Sequence, residues 1–323
     1  MGPSIHMIQE LHYVTFPDIV GPYTMVEQLG LHLSTDQQYV QKYVTEHFAN
    51  VLGDFQTAEL LRQKAHLVSQ ATVPVPSMEP AWAHGMTRTQ VNQSLLLLQS
   101  LWLVKDNSTN AGRVYFAARR MLDGDKWTHD TPPYWFFTAD CELRETSFNE
   151  AELDEAIALY RSFSENSRNA PYNAYGIGPS ASAVESRIGR ALLTVRSARA
   201  VDDPGLKVAF YCVAFEAILS TSKDAVAHQI AERTAVMVGT AADKHAIYRD
   251  MKNLYDKRSK VLHGSRLDQA DLKAVQERLT RCDNYLRRML RRLLAEDDLK
   301  GLFTRGKSEE IDKYFLDRLL PNC

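Results

Sequence analysis

Apolar and polar positions alternate along this chain mostly with a helical period. In the C-terminal half the pattern predicts five consecutive helices, over 182–200, 204–220, 224–238, 242–263 and 268–295. Pro204 falls near the start of the second, where a missing N–H costs no intrahelical bond. Gly239 is placed to end the third and Gly264 the fourth. Short turns between such helices predict an up-and-down bundle. A short amphipathic helix through Tyr314, Phe315 and Leu319 is expected in the tail.

The N-terminal half has a weaker pattern. Helices are expected over 35–49, 55–69, 87–104 and 149–164. The stretch from Thr72 to Pro80 holds three prolines and reads as extended or loop. The runs 114–118 and 134–138 are rich in aromatic and β-forming residues. They read either as a small β-hairpin or as a long loop whose aromatics pack a helical domain. Met1 to Met7 reads as a cloning scar of no functional weight, with a native start at Met7. The Pro, Gly and Asn-rich run 170–179 reads as a linker, and Gly176 and Gly178 in it lack the preceding strand that a phosphate-binding loop needs. The expected fold class is therefore mainly α: residues 1–170 form a mostly helical N-terminal domain of unknown role, and residues 180–323 form a helical bundle.

Composition excludes several classes. The chain has 323 residues, 45% hydrophobic and 24% charged, with a formal net charge of -2, so contact with nucleic acid must come from a local basic surface. Cys141, Cys212, Cys282 and Cys323 are far apart, which predicts reduced thiols rather than a disulfide framework or a zinc site. Neither a metal nor another cofactor is expected. No apolar run approaches the ~20 residues of a membrane span, and no signal peptide is visible, so a cytoplasmic protein is expected.

Two charges sit where apolar residues belong. Glu216 is the only charge in the run Val208–Leu219, so it is expected at least partly inside. A buried carboxylate needs a partner or a proton. The apolar stripe of the fourth helix runs through Ile247, Met251, Leu254 and Tyr255, and position 258 on that stripe is arginine. Arginine keeps its charge, so burial there calls for a carboxylate or a phosphate. Glu216 is the economical partner for Arg258; Glu232 and Arg233 are alternatives. The pair is either a bridge that sets helix register or part of a functional site. His263 closes the same helix, where imidazolium gains up to ~1 kcal/mol from the helix dipole and can exchange a proton near neutral pH. On a regular helix Arg258 and His263 point ~140° apart, so they converge only through a long arginine, an irregular last turn or a cleft shared with a second chain.

The segment Asn253–Gly264, with Arg258-Ser-Lys-Val-Leu-His263 inside it, resembles the R-x4-6-H motif of HEPN domains, specifically the Apea-like group. Phe215–Leu219 resembles that group's earlier helix with its embedded glutamate, and 227–238 resembles the helix between them. The similarity covers about 180–295. It implies a metal-independent endoribonuclease acting on RNA, with a role in antiviral defence, abortive infection or as a toxin. It also implies a homodimer whose motifs line a shared cleft. Arg258 would hold the phosphate and His263 would move protons, with Glu216, Ser259 and Tyr255 supporting them. Family members often carry Asn, Asp or His after the arginine; Ser259 is polar but does not titrate. Other members have lost catalysis and serve as RNA-binding or dimerisation modules, which is the alternative reading. Lys257 and Lys260 flank the motif. Arg281, Arg288 and Arg292 share a helix face that is either an RNA-backbone track or an ordinary solvated surface. The N-terminal domain is then expected to bind a trigger or an inhibitor.

Overall fold

The computed structural model describes residues 4–27, 30–72, 80–119, 124–132, 134–167, 186–262 and 269–320. The chain forms two compact units. Unit 1 is residues 1–135 with 143–179, and unit 2 is 136–142 with 180–323. The linker expected over 170–179 lies outside the described residues, as does nearly all of the proline-rich stretch after Thr72.

Unit 1 overturns the expectation of a mainly α protein. It contains a six-stranded antiparallel sheet in the order β3-β4-β5-β1-β6-β7. The strands are β1 (Ser4–His12), β3 (Pro22–Val26), β4 (Leu31–Ser34), β5 (Ala65–Thr72), β6 (Asn110–Arg119) and β7 (Lys126–Asp130). A second, parallel pair joins β2 (Val14–Thr15) to β8 (Thr146–Ser147). The protein is therefore a mixed α/β fold. Residues 4–7, expected to carry no weight, begin β1, one of the sheet's two central strands. The expected helix over 55–69 ends at Arg62 and the chain continues as β5. The partner of β6 is β7, not 134–138.

Helices α1 (Gln37–Gln41), α2 (Glu46–Leu52) and α3 (Asp54–Arg62) cover one face, where Ile8, Val68 and Tyr115 pack with Val40, Phe48 and Leu60. Helix α4 (Pro80–Val104) packs against the sheet through β6 and β7, and α5 (Glu150–Ser167) lies against α4. Leu153, Ala156, Ile157 and Tyr160 form the buried stripe of α5, the i, i+3, i+4, i+7 spacing of an amphipathic helix. Helix α4 has buried residues all round, as a helix between two layers must.

From residue 186 onward the described part of unit 2 is helical: α6 (Arg187–Arg199), α7 (Pro204–Leu219), α8 (Val226–Val238), α9 (Lys244–Leu262), α10 (Gln269–Ala295), α11 (Asp297–Arg305) and α12 (Ser308–Leu319). Helix α7 is apolar all round and central, packed by α6, α8, α9 and α10. It starts where Asp203 accepts the Leu206 N–H at 2.7 Å, with Pro204 next. Helix α8 ends at Gly239. The tail holds two helices rather than the one expected. No helix among the described residues is long and apolar enough to cross a membrane.

Candidate functional site

The site is built on α7 and α9. The stripe Ile247, Met251, Leu254 and Tyr255 is buried and seats α9 against the unit's core. This aims Arg258, one turn beyond Tyr255, at α7. Its Nη1 donates to Glu216 Oε1 at 2.6 Å. The side chains are 29% and 25% exposed, so the pair sits at the edge of the core. Desolvation there is partial, and a carboxylate and a guanidinium at this distance offset it with a charge-assisted bond.

Tyr255 forms the floor. It is 7% exposed, and its hydroxyl donates to the Cys212 carbonyl at 3.3 Å. Burial, then the neighbouring Cys212 and Glu216, push the phenol's pKa far up, so it acts only as a neutral donor. The Arg258 guanidinium carbon lies 5.8 Å from the Tyr255 ring centroid, at the outer limit of a cation–π contact. Burial likewise pushes the Cys212 thiol well up, which leaves it inert as a nucleophile. Arg258 Nε is buried without a hydrogen-bond partner among the described residues. With Nη1 on Glu216, the fork is fixed at one end and keeps donor capacity at the other.

Helix α7 is itself held rigidly. Asp283 of α10 is fully buried; it accepts the Tyr211 hydroxyl at 2.7 Å and Arg287 Nε at 2.7 Å. Tyr211 lies on α7, so this bond locks that helix against α10 and fixes where Glu216 emerges.

The remaining predicted residues divide. Ser259 is exposed and Lys257 half-buried on α9. The Lys260 side chain and the whole of His263 lie outside the described residues; helix α9 runs to Leu262. On α10, Arg281 makes a two-point pair with Asp250, at 2.8 and 2.9 Å. Arg288 donates to the Val238 carbonyl. Arg292 donates to the Met237 carbonyl at 2.9 Å and to Glu296 at 2.8 Å. These guanidinium groups cap the end of α8 and bind α9, so their bonds are used within the unit. Glu232 does not join the Arg258 pair; it lies 3.7 Å from His228. Arg233 is engaged by Asp312 and by the Leu219 carbonyl at 2.8 Å.

Unit 1 holds a polar cluster that the sequence pattern did not bring out. Glu10 and His66 are register partners on β1 and β5, and His12 Nε2 is 3.9 Å from Glu10 Oε1. His66 Nε2 lies 2.7 Å from the Leu60 carbonyl. Burial raises the Glu10 pKa and lowers those of His12 and His66. The alternation of His6, Glu10 and His12 was the available signal, but it becomes one only once 4–12 is known to be a strand.

Comparison with family models, curated proteins and solved structures returned no match.

Proposed function

We propose that unit 2 is an endoribonuclease of the HEPN type that cleaves RNA without a metal. The observation that carries this reading is the Arg258–Glu216 pair, 2.6 Å long, at the edge of the core and one turn before the end of α9. A guanidinium held at one end by a carboxylate is oriented to take a phosphate oxygen with its free donors. In the proposed reaction a ribose 2′-hydroxyl loses its proton to a base and attacks the adjacent phosphorus. The bond from phosphorus to the 5′-oxygen breaks, and a proton is delivered to that leaving oxygen. The products are a 2′,3′-cyclic phosphate and a 5′-hydroxyl. Arg258 stabilises the charge that grows on the phosphate oxygens. His263, five residues on, moves the protons. Two copies of unit 2 bring their motifs to one cleft, so the acting form is a homodimer. The protein works in the cytoplasm, in defence or as a toxin, and unit 1 responds to the trigger.

A second reading is favoured by one observation: Arg258 already has a carboxylate partner, which a register-setting bridge would also provide. In that case unit 2 is an inactive module for RNA binding or dimerisation.

Incubation of the full chain with RNA in EDTA separates the two. Wild type is expected to cleave, and Arg258→Ala and His263→Ala each to lose about 100-fold or more in rate. Cleavage that survives both substitutions rejects this site.

A further inference from the structure

Unit 1 contains a cavity of about 230 Å³ at the edge of its sheet, between helix α2 and strands β6 and β7. Its floor is set by strand parity. Tyr115 pairs in register with His129, and Trp127 lies two residues before His129. Residues two apart on a strand share a face, so Tyr115, Trp127 and His129 all point toward the helix layer, and Arg113, at the register shift of β6 against β1, also lines the cavity. Phe48 and Val51 of α2 form the opposing wall. Phe48 meets Trp127 at 5.1 Å between centroids and Tyr115 edge-on at 5.9 Å. Three aromatic rings therefore border one small space at an edge strand.

Charge narrows what fits. Arg113 and His129 line the cavity, and no carboxylate is among its lining residues. Glu10 accepts the Arg113 backbone N–H at 3.3 Å and feels its charge, and the Arg113 side chain also bonds the Tyr115 hydroxyl. The opening has an apolar member: Val51, which lines the cavity, is 55% exposed. Exposed apolar groups around a concave opening mark a place that something covers. The volume is below the ~300–1,000 Å³ typical of pockets for drug-sized ligands, which leaves room inside for one ring system, while Arg113, an exposed lining residue, meets the acidic group at the opening.

We infer that this cavity binds a small planar aromatic anion, its ring against Trp127 and Phe48 and its acidic group on Arg113. The anion's source is either a nucleotide phosphate or an aromatic carboxylate. The site lies within unit 1 and its test reads binding alone, so it stands or falls apart from RNA cleavage.

The test is calorimetry and tryptophan fluorescence on the full chain, with 5′-CMP, 5′-AMP and benzoate as probes and cytidine as the uncharged control. At least one anion is expected to bind and to quench fluorescence, and which one binds decides between phosphate and carboxylate. Arg113→Gln should weaken that anion about tenfold, the ~1.4 kcal/mol of one lost charged contact, and leave cytidine unchanged. Trp127→Phe should abolish the quench but keep the heat of binding. Val51→Trp, which fills the mouth without touching the floor, should block binding in a chain whose melting temperature is unchanged. The inference is overturned if no probe binds at millimolar concentration. It is also overturned if Arg113→Gln or Val51→Trp binds as tightly as wild type.

Discussion

Glu216 and Arg258 present a choice that magnitude can settle. A pair about a quarter exposed is screened, and such pairs contribute only about 0.5–1 kcal/mol. A fully buried pair broken on one side would cost about 3–5 kcal/mol. Glu216→Gln keeps the shape and removes the charge. The expected outcome in urea unfolding is a loss of about 1 kcal/mol or less, together with a much larger loss of RNA cleavage, because Arg258 is no longer oriented. A loss above 3 kcal/mol with cleavage unchanged would make the pair a structural bridge. The need for a partner for Arg258 was legible in the sequence, because arginine on an apolar stripe cannot discard its charge. The engagement of Arg281, Arg288 and Arg292 was not. Their acceptors are the carbonyls of Met237 and Val238 and the carboxylates of Asp250 and Glu296, and which of these lies within reach depends on packing.

At the scale of elements, the helices of unit 2 were legible because each buries one stripe or, for α7, most of its surface. The strands of unit 1 were not. Both faces of β1 are covered, so its buried positions follow no clean alternation. Helix α3 gives way to β5 with no proline or glycine to mark the change, so a helical composition runs on unbroken across the boundary. The polar cluster that hides in this sheet has a measurable consequence. His12 and His66 are held below their ordinary 6.5 by burial. As pH falls below 6.5 the unfolded chain takes up protons that the folded sheet refuses, so stability is lost from 6.5 down through the depressed folded values. Glu10 is raised above 4.5, so its contribution is present below 4.5 and is lost as pH rises through its folded value. Thermal melts should therefore show a lower transition for unit 1 at pH 5.5 than at 7.5. His66→Gln should flatten that dependence and Glu10→Gln should steepen it. The hairpin from β3 to β4 carries a second requirement. Gly30 has φ +54°, and a Cβ there would meet the Gln70 carbonyl oxygen at 2.4 Å. Backbone cannot yield as a side chain does, so Gly30→Ala is expected to cost about 1–3 kcal/mol in the same melts.

At the scale of the whole molecule, the chain enters unit 2 twice. Phe136–Glu142 belongs to unit 2, although the sequence around it belongs to unit 1. Lys207 is fully buried on α7, and its Nζ donates to the Thr138 carbonyl at 2.6 Å. Gln276 donates to the Asp140 carbonyl at 2.9 Å, and the Phe137 N–H donates to the Arg199 carbonyl at 2.8 Å. A fragment of residues 180–323 would leave the Lys207 ammonium without that carbonyl, a loss of about 1–3 kcal/mol or more for a charged group. Its melting temperature should lie below that of unit 2 in the full chain, and a lysine-to-methionine change at 207 should recover part of the difference. Nothing in the sequence pattern signalled this clasp, because it joins residues about 70 positions apart through a backbone carbonyl, which every residue carries.

In the proposed reaction Arg258 holds a phosphate while a 2′-hydroxyl attacks it. The most direct measurement incubates the full chain in EDTA with an RNA and with its 2′-O-methyl counterpart, and reads the product ends by mass spectrometry. Cleavage of the RNA alone is expected, with 2′,3′-cyclic phosphate and 5′-hydroxyl ends, and is lost in Arg258→Ala. Equal cleavage of the methylated strand, or 3′-hydroxyl and 5′-phosphate ends, would contradict it.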